Sequence, residues 1–151
     1  MSISTRPAQI ADIPQVLSLM QELAVFENYA QHFQVKEHDL QNIIAASSSV
    51  HLIVADDGNG NCIALAVLYQ QPFTYDMKPW FVLKEFVVQK AYRGDGVGPA
   101  LFKAVIDFSR SHQASRLKWE VLADNTRAKR FYERLGGQLI SEWQLYGLDL
   151  G

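Results

Sequence analysis

The chain has 151 residues, 48% of them hydrophobic and 20% charged, with a formal net charge of −2. That length is enough for one domain with a real core. The charge argues against general nucleic-acid affinity, and no run of eighteen apolar residues marks a membrane span.

From the N-terminus, SISTRPA reads as a short strand, with Ile3 and Thr5 alternating against polar neighbours. A helix follows through DIPQVLSLMQEL. Asp12 is a candidate cap, Pro14 sits in the first turn where its missing N–H costs little, and Val16, Leu17, Met20 and Leu23 share one face. A second helix is expected over VKEHDLQNIIAA, with Leu40, Ile43 and Ile44 inward. HLIVAD, the turn DDGNGN and CIALAVLY form a hairpin signal. QQPFTYDMKP is a loop, and WFVLKEFVV a strand rich in β-branched and aromatic residues. PALFKAVIDFSRSH reads as a helix, RLKWEVLA as a strand, and NTRAKRFYERLGG as a helix stopped by Gly136 and Gly137. QLISEW and QLYGLDL are expected as two closing strands. The order β-α-α-β-β-β-α-β-α-β-β predicts a mixed α/β sheet with helices on its faces. No repeat or linker divides it, so one domain over residues 1–151 is expected.

The opening MSISTRPAQIADIPQ lacks a basic segment followed by an apolar one, so no secretory leader is expected. Cys62 is the only cysteine. It has no disulfide partner, lies in an apolar run and reads as a small buried hydrophobe in a reducing, cytoplasmic setting. Residues 1–89 hold nine acids and four Lys/Arg, and residues 90–151 hold ten Lys/Arg and seven acids. A basic C-terminal half and an acidic N-terminal half match an anionic cofactor and a cationic substrate, although chance surface composition gives the same split. The four histidines show no ligand spacing, and no metal is implied.

The stretch AYRGDGVGPALF joins a strand to a helix and places glycine at 94, 96 and 98. The first amides of a helix lack internal partners, so they can hold a phosphate, and glycine lets that ligand approach the backbone. Arg93 adds a fixed positive fork. The pattern is neither the GxxxxGK[ST] of a mononucleotide loop nor a GxGxxG after a first strand. A plain glycine-rich connection is the alternative.

VVQKAYRGDGVGPALF resembles the acyl-CoA signature of the GNAT N-acetyltransferases, [Q/R]xxGx[G/A], with Arg93, Gly96 and Gly98 at its fixed positions. RPAQIADIPQVLSLMQELAVFE is similar to that family's first strand and helix, and DNTRAKRFYERLGG to its last helix. Within the family, FTYD at 73–76 and ELAVFE at 22–27 resemble segments of the diamine (spermidine/spermine-type) and thialysine acetyltransferases. The resemblance implies a mixed, mostly antiparallel sheet splayed at the cofactor site, with helices on both faces. It also implies acetyl-CoA as cofactor, with CoA as product.

The implied cofactor contacts are the backbone of Gly94, Asp95, Gly96, Val97 and Gly98 on the diphosphate, with Arg93 assisting. Phe86, Val87 and Val88 would pair with the pantetheine arm as an added strand. A backbone N–H near Val87 would face the thioester carbonyl. Asn125 is implied at the pantetheine end, its other role being a helix cap. Tyr132 is the candidate acid for the departing thiolate, its other role being a packed core tyrosine.

The diamine enzymes carry a Leu-Glu-Asp step on the third of the central strands, whereas this chain has Leu83-Lys84-Glu85. Adjacent strand residues face opposite ways, so Glu85 replaces that glutamate as base only if a bulge intervenes. Glu85 as half of a surface ion pair is the alternative. Lys84 would repel a polycation and welcome a carboxylate. Glu27, Tyr29, Asp76 and Trp80 complete the candidates around the acceptor, since carboxylates and aromatic faces both suit an ammonium. Loop structure or hairpin packing is the alternative for each. The expected activity is acetyl transfer to a primary amine of a diamine, polyamine or lysine-like amino acid by direct attack in a ternary complex. A protein lysine or N-terminal acetyltransferase and a non-catalytic acyl-CoA-binding module are the competing readings. The resemblance further implies a homodimer paired through the C-terminal strands; a monomer with a covered edge also fits the residues.

Overall fold

The computed structural model describes residues 2–47 and 49–151. The chain separates into two compact units, Met1–Glu120 and Val121–Gly151.

In the first unit the strands are β1 (Ser4–Pro7), β2 (Val50–Asp56), β3 (Cys62–Pro72), β4 (Pro79–Val88) and β5 (Arg116–Trp119). They lie in sequence order in one sheet. The first three pairings are antiparallel and β4–β5 is parallel. The helices are α1 (Ile13–Phe26), α2 (Glu37–Ala46) and α3 (Val97–Ser111).

The period-two pattern of β2 and β3 sorts their side chains between two helical layers. Leu52, Val54, Leu65 and Val67 pack with Ile13, Val16, Leu19 and Met20 of α1 and Leu40 of α2. On the opposite face α3 buries Val97, Leu101, Phe102 and Val105. Phe102 meets Phe86 and Trp119, and Phe108 meets Phe81. The two faces of β2 and β3 are both covered, which is why their central residues read as a continuous apolar run rather than an alternation.

Asp12 is not a conventional helix cap. Its carboxylate is drawn into a buried ionic cluster instead, accepting from Arg6 Nη1 at 2.6 Å, the Gln9 amide at 2.7 Å and Cys62 Sγ at 3.2 Å. Arg6 also reaches Asp56 at 3.0 Å, tying β1, the start of α1 and the end of β2. The Arg6 guanidinium holds the Asp12 carboxyl below its usual range, although burial opposes this. Burial, followed by the Asp12 charge, pushes the Cys62 thiol up to about 12. Cys62 is therefore a buried neutral group, as its apolar surroundings in the sequence foretold.

The second unit holds α4 (Thr126–Arg134). Asn125 caps it, with its side-chain oxygen accepting the Ala128 amide at 3.1 Å. Gly136, at φ +97°, ends it, and the Gly137 amide donates to Tyr132 O at 2.9 Å. Residues 138–151 form no strand, so the two closing strands expected from QLISEW and QLYGLDL are absent. The alternating apolar pattern is present, but a strand exists only with a partner ladder, and here the side chains of Leu145, Tyr146, Leu148 and Leu150 stand exposed. The fifth strand is likewise shorter than RLKWEVLA predicts. Among the described residues no helix is long and apolar enough to cross a membrane.

Candidate active site

The glycine stretch begins where β4 ends. Residues 90–92 make one tight 3-10 turn, and Gly94 (φ +88°) and Gly96 (φ +83°) then take left-handed conformations that a side chain would strain. α3 starts at Val97, two residues before Pro99, so Val97 and Gly98 supply its first amides. Among the described residues no protein acceptor takes the N–H of Gly94, Gly96, Val97 or Gly98. A Cβ added at Gly94 or Gly96 would meet nothing within 4 Å. Four unclaimed donors at the positive end of a fifteen-residue helix form a cradle for an anion. Arg93 borders it. Its Nε donates to Val88 O at 3.0 Å, and Nη2 lies 3.4 Å from Glu22 on α1.

The sheet opens beside this loop. The β4–β5 ladder runs only from Trp80–Arg116 to Leu83–Trp119. Residues 84–88 of β4 extend beyond it and lead directly into the glycine stretch, so this part of β4 has no ladder pairing with β5, at the place where the family resemblance implies a splay.

At the same point β4 carries a bulge. Leu83 pairs with Leu68 and Glu85 pairs with Val67, which leaves Lys84 as the extra residue. The bulge moves Glu85 to the face of the sheet that carries Val67, under α1 and α2. This meets the condition on which the sequence reading of Glu85 depended.

Glu85 there lines a cavity of about 610 Å³. Leu52, Val67 and Glu85 form one cross-strand row of its floor, with Val50 and Tyr69 in the next row. Met20 of α1 and Leu40 and Ile43 of α2 form walls, and His32, Gln34 and Val35 come from the connection between those helices. The Glu85 carboxylate accepts no hydrogen bond from the described residues. Burial raises its pKa above the ordinary glutamate value; the nearby charge of Glu27 adds to this and that of Lys84 opposes it. Glu27, at the end of α1, is also raised by burial and lowered by Lys84. Glu27, Lys84 and Glu85 thus sense one another, and a half-buried carboxylate without a donor is poised to take a proton.

Other candidates are placed differently. Tyr29 is 61% exposed, with its ring 5.9 Å from that of His32. Trp80 is committed within its own hairpin: Phe73 stacks on it at 4.3 Å, and Arg116 and Lys118 lie 5.2 and 5.0 Å from its ring. The Asp76 carboxylate accepts the Lys78 amide at 2.9 Å and so shapes the loop. Asn125 and Tyr132 belong to the second unit, where Tyr132 is half-buried with its ring 5.2 Å from Phe131. Of the cavity's lining residues, sequence reading named only Glu85 as a site residue and missed the other polar ones, His32, Gln34, Asp39 and Tyr69, which carry no spacing signal. His51 was also missed as an interior residue: it stacks on Phe81 at 5.8 Å beneath α3.

Residues 16–137 match the sequence profile of the Acetyltransferase (GNAT) family. The chain is 26% identical over 147 residues to the thialysine N-epsilon-acetyltransferase of Bos taurus, covering 93% of this chain and 86% of that protein. Among solved structures it is similar to an aminoglycoside acetyltransferase from an uncultured soil metagenomic sample, with TM-score 0.81, 15% identity and 97% of both chains covered. It is also similar to a Trypanosoma brucei acetyltransferase, with TM-score 0.78 and 24% identity over 99% of this chain and all of that one. At those identities the structures speak for the fold alone, and they match the mixed sheet with helices on both faces.

Proposed function

Because the chain belongs to the GNAT acetyltransferase family, and is thereby an N-acetyltransferase, we propose that it transfers the acetyl group of acetyl-CoA to a primary amine of a small molecule by direct attack in a ternary complex. The observation that carries this reading is the position of Glu85. Its carboxylate, which accepts no hydrogen bond from the described residues, lines a cavity, on the strand that runs past the end of the β4–β5 ladder into the anion cradle.

The cradle fits the diphosphate of the cofactor, because four amides without acceptors stand at a helix N-terminus. Gly94, Asp95, Gly96, Val97 and Gly98 would hold it. Arg93 would assist by turning from Glu22. The backbone of Phe86, Val87 and Val88 would take the pantetheine arm along β4, with Asn125 at its far end. Bound acetyl-CoA supplies an activated thioester and leaves as CoA.

Glu85, directly or through a water, removes the proton of the acceptor ammonium so that its nitrogen lone pair can form the new N–C bond. A backbone N–H near Val87 would donate to the carbonyl oxygen as charge develops there. Tyr132 would return a proton to sulfur as the C–S bond breaks, since phenol and thiol acidities are close. Glu27, Tyr29 and Lys84, with Asp76 and Trp80 in the neighbouring loop, would surround the approach of the amine.

The cavity's volume of about 610 Å³ suits a small acceptor. The names of relatives point to lysine-like and polyamine amines: one is a thialysine N-epsilon-acetyltransferase and another, 26% identical, a human spermidine/spermine N(1)-acetyltransferase-like protein. The whole chain would act as one acetyltransferase domain, since the family match runs through both units. It would work in the cytoplasm, where an unpaired buried thiol is stable. A homodimer is proposed as well, supported by Leu139, Trp143, Leu145, Tyr146, Leu148 and Leu150, whose exposed side chains require cover. Free-CoA detection with a panel of small amines and peptides tests the reading. Release with small amines supports it; release with peptides only, or tight binding without turnover on any acceptor, overturns it.

A further inference from the structure

Lys84 is the residue that the β4 bulge adds, and its amine holds nothing in the fold together. In a bulge two residues of one strand stand against one of the next, here Lys84 and Glu85 against Val67. Lys84 is exposed, and among the described residues its ammonium makes no hydrogen bond or ion pair. Its charge nevertheless acts on two carboxylates, that of Glu85 and that of Glu27 at the end of α1. The ammonium therefore stands on the side of the sheet that α1 covers, beside the group read above as the base. Phe86, Val87 and Val88, read above as the pairing edge for the pantetheine arm, begin two residues further along the same strand.

The other lysines are placed differently. Lys103 pairs with Asp107 at 2.8 Å, Lys129 donates to Ala123 O, and Lys118 lies 5.0 Å from the Trp80 ring. Lys36, Lys78 and Lys90 are exposed, and none of them acts on either raised carboxylate. Lys84 alone joins an unengaged amine to a neighbouring proton acceptor.

Resting on the transferase reading above, we propose that Lys84 is a self-acetylation site: without an acceptor, the chain transfers the acetyl group of an acyl thioester to its own Lys84 Nζ. Lys84 gives a proton to Glu85, and its nitrogen forms the N–C bond. The C–S bond breaks, and the thiolate leaves with a proton from Tyr132 or solvent. The products are one Nε-acetyl-lysine and one CoA. Amine and base on adjacent residues make the step intramolecular, which favours Lys84 over lysines that must meet the thioester by diffusion. The transfer also removes the charge that holds Glu85 and Glu27 down, so the modified protein needs a higher pH to ionise its base.

The test is peptide mass spectrometry of the whole chain after incubation with acetyl-CoA and no acceptor. Expected is one acetyl group per chain on Lys84, formed with a rate constant independent of protein concentration. Lys84 should label about 10²-fold faster than Lys36, Lys78 or Lys90, and Glu85→Gln should slow Lys84 by about as much without changing the other three. Excess CoA should suppress labelling of Lys84 alone. Labelling of Lys84 no faster than those three overturns the inference. So does a rate constant that rises with protein concentration, or labelling that Glu85→Gln or excess CoA leaves unchanged. A second measurement needs no cofactor. The side-chain carboxyl carbon of Glu85, followed by NMR in the free protein, should titrate at higher pH in Lys84→Gln; an unmoved titration also overturns the inference. Small amines that release CoA while Lys84 stays unlabelled sink the inference and leave the transferase reading standing. No release with any amine and no label on Lys84 sink both.

Discussion

Glu85 stands across from Val67 because Lys84 is surplus in the β3–β4 ladder. Without that extra residue in the count, Lys84 would face the cavity and Glu85 would point to the α3 side. A one-residue irregularity thus decides which charge faces the cavity. It also lies next to the point where the β4–β5 ladder ends.

Glu85→Gln should lower kcat/KM by about 10²–10⁴, the usual share of a positioned base, with acetyl-CoA affinity unchanged. Because its pKa is raised in the fold, Glu85 is stabilising only when protonated, and that contribution is lost as pH rises through the raised value. The variant should therefore melt higher than wild type at neutral pH and equal to it below the ordinary glutamate pKa. Equal melting curves at neutral pH would show that the carboxylate is not desolvated.

The acidic limb of the kcat/KM profile should lie above the ordinary glutamate range. Glu27 pushes it up and Lys84 pulls it down. Glu27→Gln should then shift the limb to lower pH and Lys84→Met to higher pH. Both variants moving it the same way would separate the limb from Glu85.

Gly96→Ala places a side chain at φ +83° without a clash, so the expected cost is strain alone, about 1–2 kcal/mol. Relief by rotation of the backbone would misalign the amides of residues 96–98, so acetyl-CoA affinity should fall more than stability does. Calorimetry and melting curves read the two separately, and a stability loss with unchanged affinity would remove the cradle from cofactor binding.

Arg6→Met should cost about 2–3 kcal/mol and lower Tm by about 5–10 °C, less than for a fully buried pair because a quarter of the Arg6 side chain is exposed. Asp12 is held below its usual pKa. Its contribution is complete above the unfolded aspartate value and is lost as pH falls through the depressed one. The wild-type protein should thus lose stability in that acid range, and the variant should lose less.

The glycine stretch and the helix faces were legible because their signals are local: left-handed positions demand glycine, and Val16 with Met20 in one helix and Leu40 with Ile43 and Ile44 in the next stand at helical spacing. The bulge was not. Whether Glu85 or Lys84 opposes Val67 depends on register with β3, which neither strand encodes alone. His32 joins Glu85 only through the path of the chain between α1 and α2. The tail failed for the opposite reason: QLYGLDL has the alternation of a strand, but alternation places side chains and supplies no partner for the backbone.

The most direct measurement is an amide proton–nitrogen spectrum of the protein titrated with acetyl-CoA. Donation to phosphate oxygens predicts saturable downfield shifts of the Gly94, Gly96, Val97 and Gly98 amides, together with changes at residues 86–88. Saturation without movement of those four amides, or no response to acetyl-CoA at all, would contradict the account.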